Sequence, residues 1–307
     1  MNTKLDPLSE FDADIVASNS LPYAQIQNPP NLSLAQIEQL NPPWGWFIAN
    51  EQAELAQFNP DDSFVPIRLT FGEKDTRSVD GFLTKKVRLS ILHRSNIEVQ
   101  SKTDKGWRYA GLAYKSGTIT QLGEQTTSDR NNYRLRTRYL ILFLGTDNQP
   151  LHPIPFRIGM NAGVGAAFGD ETRLFRNEVE KVFFQLRKLP VKSLSNSAHA
   201  LFALSMSFGL HKSEGKAPFI YPQQRIAPAA ESSKTIATVE RRGRQVELVP
   251  SNLRKLIIPK SSEAGKLILS LSEEHQGFAD KFQDDLADDA DEPDTSPFEE
   301  SLEEVVF

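Results

Sequence analysis

The chain has 307 residues, a formal net charge of −5, 39% hydrophobic and 24% charged residues, five histidines and no cysteine. That is enough for one large or two small cores, and without thiols neither a disulfide framework nor a thiolate metal site is available, which fits a reducing, cytoplasmic setting. Met1–Asp14 is polar and acidic, and no apolar run approaches the roughly 18 residues of a membrane span, so no membrane partner is expected.

Residues 1–43 are punctuated by Pro7, Pro22, Pro29, Pro30, Pro42 and Pro43, which interrupt both helix and ladder hydrogen bonding, although Leu21–Ile26 and Leu32–Leu40 are apolar enough to dock on a core. Trp44–Ile48 follows. Its aromatics supply either core packing or a base-stacking platform, and burial is the commoner use of large rings. A helix is expected over Glu51–Phe58 with Asn50 as its cap and Pro60 as its stop.

From Phe64 the period changes to two. Val65, Ile67, Leu69 and Phe71 alternate with polar positions, then Val87, Leu89 and Ile91 do so, and Ile97–Gln100 and Trp107–Tyr114 are joined by the turn chemistry of Thr103–Gly106. Ser116–Asn132 reads as a loop. Tyr133–Leu144 ends in a continuous apolar run suited to a strand buried on both faces, and after a turn at Gly145–Gln149 the stretch Leu151–Ile158 returns as its partner. Leu174, Val179, Val182, Phe183 and Leu186 recur at helical spacing between Asp170 and Lys188. Strands resume at Ala200–Leu210 and Pro218–Ile220. Pro228–Lys234 has linker composition, Thr235–Val249 reads as a hairpin turning at Arg242-Gly243, and Ser262–Ser272 as a last helix.

The expected fold class is therefore α+β, mostly antiparallel β, with a disordered acidic C-terminal tail. Strands, one helix, then more strands is an order that an OB-like barrel with one inserted helix satisfies, as do other small antiparallel architectures. Four segments follow: a Pro-rich N-terminal segment (1–43), a β-rich core domain (44–227), a linker or β-hairpin extension (228–272) and the tail (273–307).

Glu273–Phe307 holds fourteen acids and one base, so this tail carries −13 and residues 1–272 carry +8. Seven of those positive charges are the excess of bases within Asp80–Leu140, where Trp107, Tyr109, Tyr114, Tyr133 and Tyr139 are interleaved. Single-stranded nucleic acid needs cations to replace its condensed counterions and flat side chains on which splayed bases stack. The residues expected to supply them are Lys85, Lys86, Arg88, Arg94, Lys105, Trp107, Arg108, Tyr109, Lys115, Arg134, Arg136 and Arg138. Period two puts Arg134, Arg136 and Arg138 on one face, expected to be basic surface. The competing reading is the solvated face of an ordinary sheet.

Other chemistry has little support. Gly163–Phe168 superficially resembles a dinucleotide fingerprint, but Phe168 stands where a small residue must let helix and strand approach, so these glycines read as a flexible turn. The histidines occur singly, and no serine sits in a nucleophile elbow. No catalytic residue, cofactor or metal is expected.

Glu303-Glu304-Val305-Val306-Phe307 resembles the acidic tip of bacterial single-stranded DNA-binding proteins and some phage counterparts, without the usual proline. The resemblance implies that Phe307 fills an apolar pocket on a replication or recombination protein, with Glu303 and Glu304 on its basic rim and Val305 and Val306 alongside. It also implies that the tail competes with DNA for the body. The body is similar to an uncharacterised plasmid-borne cyanobacterial family, which adds no mechanism. The function expected is non-enzymatic binding of single-stranded DNA, with RNA, strand annealing and homo-oligomerisation left open. The alternative is a structural or adaptor protein of a mobile element whose tail recruits a partner.

Overall fold

A computed structural model describes residues 21–71, 77–104, 106–212 and 217–279. The expected tail segment 280–307, with Glu303–Phe307, lies outside the described residues, as does Lys105.

The elements in chain order are β1 (Tyr23–Gln27), α1 (Leu34–Leu40), β2 (Gly45–Ala49), α2 (Asn50–Ala56), β3 (Val65–Phe71), β4 (Arg77–Thr84), β5 (Lys86–Arg94), β6 (Glu98–Thr103) and β7 (Gly106–Leu112). There follow β8 (Tyr114–Lys115), β9 (Thr118–Ile119), α3 (Gln121–Ser128), β10 (Tyr133–Phe143), β11 (Phe156–Asn161) and α4 (Ala162–Leu186). The chain continues through α5 (Asn196–His199), β12 (Leu204–His211), β13 (Phe219–Ala229), β14 (Ala237–Arg241), β15 (Arg244–Asn252) and α6 (Glu263–Glu274).

The class is α+β. Thirteen strands form one sheet whose main path runs β14-β15-β13-β12-β5-β10-β11-β1-β2-β4-β3, with β6 and β7 branching from β10. Pairing is antiparallel except at β1–β11 and β13–β15. No pairing joins the two ends of this path among the described residues, so the sheet stays open and the barrel expectation gains no closing pair. No described helix is long and apolar enough to cross a membrane.

β10 shows why the run Tyr139–Leu144 is continuous. Tyr139, Ile141 and Phe143 enter the core cluster that holds Phe168, Phe175 and Val179 of α4, whereas Leu140, Leu142 and Leu144 enter a second cluster with Ile268 and Leu271 of α6. The centre of the sheet is thus covered by a helix on each face, and every residue of the strand there leaves water. Trp46 is fully buried among Phe143, Phe168 and Phe208, with ring centroids 5.6–5.9 Å away, which settles Trp46 as core.

Several expectations change. α2 is capped by Ala49 with no side-chain bond, so Asn50 is its first residue, not its cap. The loop Ser116–Asn132 contains α3, with the Thr120 hydroxyl accepting from Gly123 N. α4 starts eight residues before the expected Asp170 and absorbs the supposed flexible turn. Gly165 lies in its first turn, where a Cβ would meet the Met160 carbonyl oxygen at 2.6 Å, so glycine there permits close packing of helix on strand. The strand before this helix, β11, pairs antiparallel with β10, a context foreign to dinucleotide binding. Residues 228–252 are woven into the sheet through the end of β13 and through β14 and β15. Glu273–Ala279, assigned to the tail by charge, complete α6 and a 3-10 turn that buries Phe278.

Candidate nucleic-acid interface

β6 and β7 form a hairpin that leaves the main sheet beside β10. The pairs Lys102↔Trp107, Gln100↔Tyr109, Gln100↔Arg134 and Glu98↔Arg136 place these side chains on one face. At the hairpin tip the Arg134 guanidinium lies over the Trp107 ring, 4.3 Å from its centroid, while its Nε donates to Gln100 Oε1 at 2.9 Å. Trp107, Tyr109 and Arg134 are half-buried, and Lys102 is exposed. Burial raises the pKa of the Tyr109 phenol, Glu98 adds to the rise and Arg138 opposes it. The pairing Arg108↔Ser101↔Tyr133 assigns Arg108 to the opposite face.

Further along the same face the chemistry changes from surface to interior. Arg138 Nε lies 3.1 Å from Glu98 Oε2, each side chain only 2% exposed. Arg136 is 9% exposed, and any side chain at Gly159 would overlap its guanidinium. The expectation of a basic surface at Arg136 and Arg138 is therefore corrected. Period-two spacing puts them on one face with Arg134, but Glu98, on the neighbouring strand, turns that face inward as a buried ion pair.

Arg88 is also part of the architecture. Its Nε and Nη2 both donate to Asn148 Oδ1, the first at 2.7 Å, and Nη2 reaches the Lys255 carbonyl at 3.3 Å. Burial lowers its pKa, with Asp147 opposing. Lys85 and Lys86 sit at the β4–β5 junction, where Lys85 Nζ lies 3.9 Å from the centroid of Trp44 and Lys86 is exposed. Lys115 is exposed on the small β8–β9 ribbon.

Arg94 belongs to a different feature, an open groove of about 970 Å³. It is lined on one side by β5 and the segment after it, including Arg94, Ser95 and Asn96, and on the others by Tyr114, by Arg176 of α4, by Asn196 and by α6. Arg94 lies over the Tyr139 ring at 5.9 Å. Arg176 Nη1 donates to Asn196 Oδ1 at 3.1 Å. Burial lowers the pKa of Arg176 and the Arg94 charge lowers it further, with Tyr139 and Glu180 opposing. Arg176 and Asn196 escape sequence reading, because a cation on a long amphipathic helix looks like ordinary solvated surface until the helix is docked. Among the described residues no group of three or more His, Asp and Glu is placed to hold a metal ion.

A family model described as a domain of unknown function, DUF5895, matches residues 18–219. No curated protein and no solved structure matches the chain. The matched stretch contains the hairpin, α4 and α5, while α6 lies beyond it.

Proposed function

We propose that this chain, which belongs to the DUF5895 family of domains of unknown function, binds single-stranded DNA along the β6–β7 hairpin. The supporting observation is the half-buried Trp107–Arg134 stack with Tyr109 and Lys102 on the same face. A ring and a guanidinium plane held together offer a flat, cationic platform on which any base can stack, and Lys102 supplies a charge for backbone phosphate. Because stacking uses the π-face that every base shares, such a surface selects single strands over duplex rather than one sequence over another. The +8 of residues 1–272 provides the long-range attraction.

In the same reading the segment Glu303–Phe307 recruits a replication or recombination protein, Phe307 acting as the apolar anchor and Glu303 and Glu304 meeting basic groups. Residues 280–307, which carry −11, oppose strand binding by competing for the body.

Fluorescence anisotropy with a labelled oligo-dT tests the proposal. Binding is expected to weaken with salt at about −0.7 logarithmic units per neutralised phosphate, and to tighten when 280–307 are deleted. Trp107→Ala is expected to cost about 1–3 kcal/mol of binding with little change in the unfolding midpoint. Equal affinity for duplex and single strand, or no binding by the truncated protein, overturns it.

A further inference from the structure

The groove beside α4 contains a polar arrangement that the fold does not use. Arg94 and Arg176 both line it, and among the described residues neither forms an ion pair with a carboxylate. The nearby acids are engaged elsewhere: Glu180 Oε1 lies 3.0 Å from His199 Nε2, and Asp170 Oδ2 lies 2.6 Å from Arg242 Nε. Glu273, the carboxylate of the groove lining, is exposed on α6 and pairs with neither arginine. The two guanidiniums repel and burial of Arg176 adds a desolvation cost, which the opposing charge of Glu180 offsets only in part.

A second observation points to the same place. Tyr139 is fully buried, yet its hydroxyl has no hydrogen-bond partner among the described residues. A Cβ built on Gly169 would lie 3.3 Å from that hydroxyl and 3.8 Å from Arg94 Nη2, so the phenol and the guanidinium border one small space that glycine leaves open. A buried hydroxyl without a partner is rare and keeps a donor available to a ligand. A phenol can donate one hydrogen bond, and planar guanidiniums match the oxygens of a tetrahedral anion in pairs.

We infer that Arg94, Arg176 and the Tyr139 hydroxyl form a binding site for a phosphate monoester, Asn196 holding the Arg176 guanidinium in position. A phosphodiester in the middle of a strand carries one negative charge, whereas a monoester carries about −1.5 to −2 at neutral pH and matches two arginines. The source of that monoester is the terminal phosphate of a single DNA strand. This assignment rests on the single-strand reading, whereas the anion site itself stands on the groove alone. The hairpin and the groove then divide the work, the first stacking bases and the second holding the strand end.

The experiment compares full-length protein with oligo-dT bearing a 5′-phosphate, a 3′-phosphate or hydroxyls at both ends, together with a thermal-unfolding series in inorganic phosphate. One terminal phosphate is expected to tighten binding at least tenfold. Arg176→Gln and Arg94→Gln are each expected to abolish that preference, so that phosphate-ended and hydroxyl-ended strands bind each variant alike. Tyr139→Phe is expected to weaken the phosphate effect without lowering the unfolding temperature in its absence, because the lost hydroxyl has no partner to abandon. A phosphate-dependent rise in unfolding temperature, abolished by Arg176→Gln, with no end preference supports the anion site and overturns the strand-end source. No end preference and no phosphate-dependent shift overturn the site, while continued binding of hydroxyl-ended oligo-dT, sensitive to Trp107→Ala, keeps the hairpin reading intact. Binding of phosphate with no oligo-dT binding at all overturns the hairpin reading and leaves the anion site standing.

Discussion

In the interior of the sheet, Arg138 and Arg225 lie against carboxylates. Arg138 meets Glu98, and Arg225 meets Glu171 at 2.8 Å and Glu178 at 2.8 Å, its own side chain fully buried. At the groove, Arg94 lies over a tyrosine and Arg176 bonds an asparagine, and among the described residues neither forms an ion pair with an acid. The same residue type thus serves two ends. A guanidinium taken out of water costs several kcal/mol unless a carboxylate or, as at Arg88, amide and carbonyl oxygens meet it, so the arginines matched in this way are architecture. Those left without a counter-charge keep their field for something that arrives from solution.

The sharpest way to break this division is to remove an interior arginine. Arg225→Met leaves Glu171 and Glu178 without their main partner and is expected to lower stability by about 3–5 kcal/mol in urea denaturation, and Arg138→Met, which removes a buried cation from beside Glu98, by a similar amount. Arg94→Gln is expected to change it by less than about 0.5 kcal/mol. If the interior and groove variants cost the same, the distinction fails.

His152 shows the other way an interior accommodates an ionisable group, by keeping it neutral. Its Nε2 accepts from Phe143 N at 2.8 Å, Nδ1–H donates to the Ile154 carbonyl at 2.7 Å, and burial pushes its pKa down from 6.5 to about 4. Between those values the unfolded chain binds a proton that the folded chain refuses. Stability present above pH 6.5 is therefore lost as pH falls towards 4, by up to roughly 3 kcal/mol from this group. Urea denaturation at pH 7 and pH 5 is expected to show the loss, and His152→Gln, which retains an acceptor, to reduce the slope.

A smaller loss of stability than at His152 is expected at Lys85, whose ammonium lies over Trp44. Lys85→Gln is expected to cost about 0.5–1 kcal/mol of stability through the lost cation–π contact. If oligo-dT binding falls tenfold instead, the Trp44 end of the molecule belongs to the interface after all.

Much of the sheet was legible because period-two alternation and the apolar run at Tyr139–Leu144 are imposed by burial itself. α3 and the first turns of α4 were hidden for local reasons. α3 is capped by Thr120 within a polar stretch that resembles loop chemistry, and α4 begins in glycines that suggest a turn but serve close packing. The candidate site was legible in composition only. Arg134, Arg136 and Arg138 share one face as expected, yet whether a face is wet or dry depends on Glu98, forty residues before Arg138, and on which strand carries it to β10. Arg176 comes to line the same groove as Arg94 through the docking of a helix on a sheet, a long-range arrangement that spacing along the chain does not encode.

Three tryptophans make the hairpin claim directly observable, because Trp46 is buried, Trp44 is covered by Lys85 and Trp107 carries the proposed stack. Titration of full-length protein with oligo-dT is expected to quench tryptophan emission, and Trp107→Phe to remove most of the quenching while retaining binding through the smaller ring. Quenching that survives unchanged in Trp107→Phe, or oligo-dT binding without any quenching in the native protein, contradicts the account.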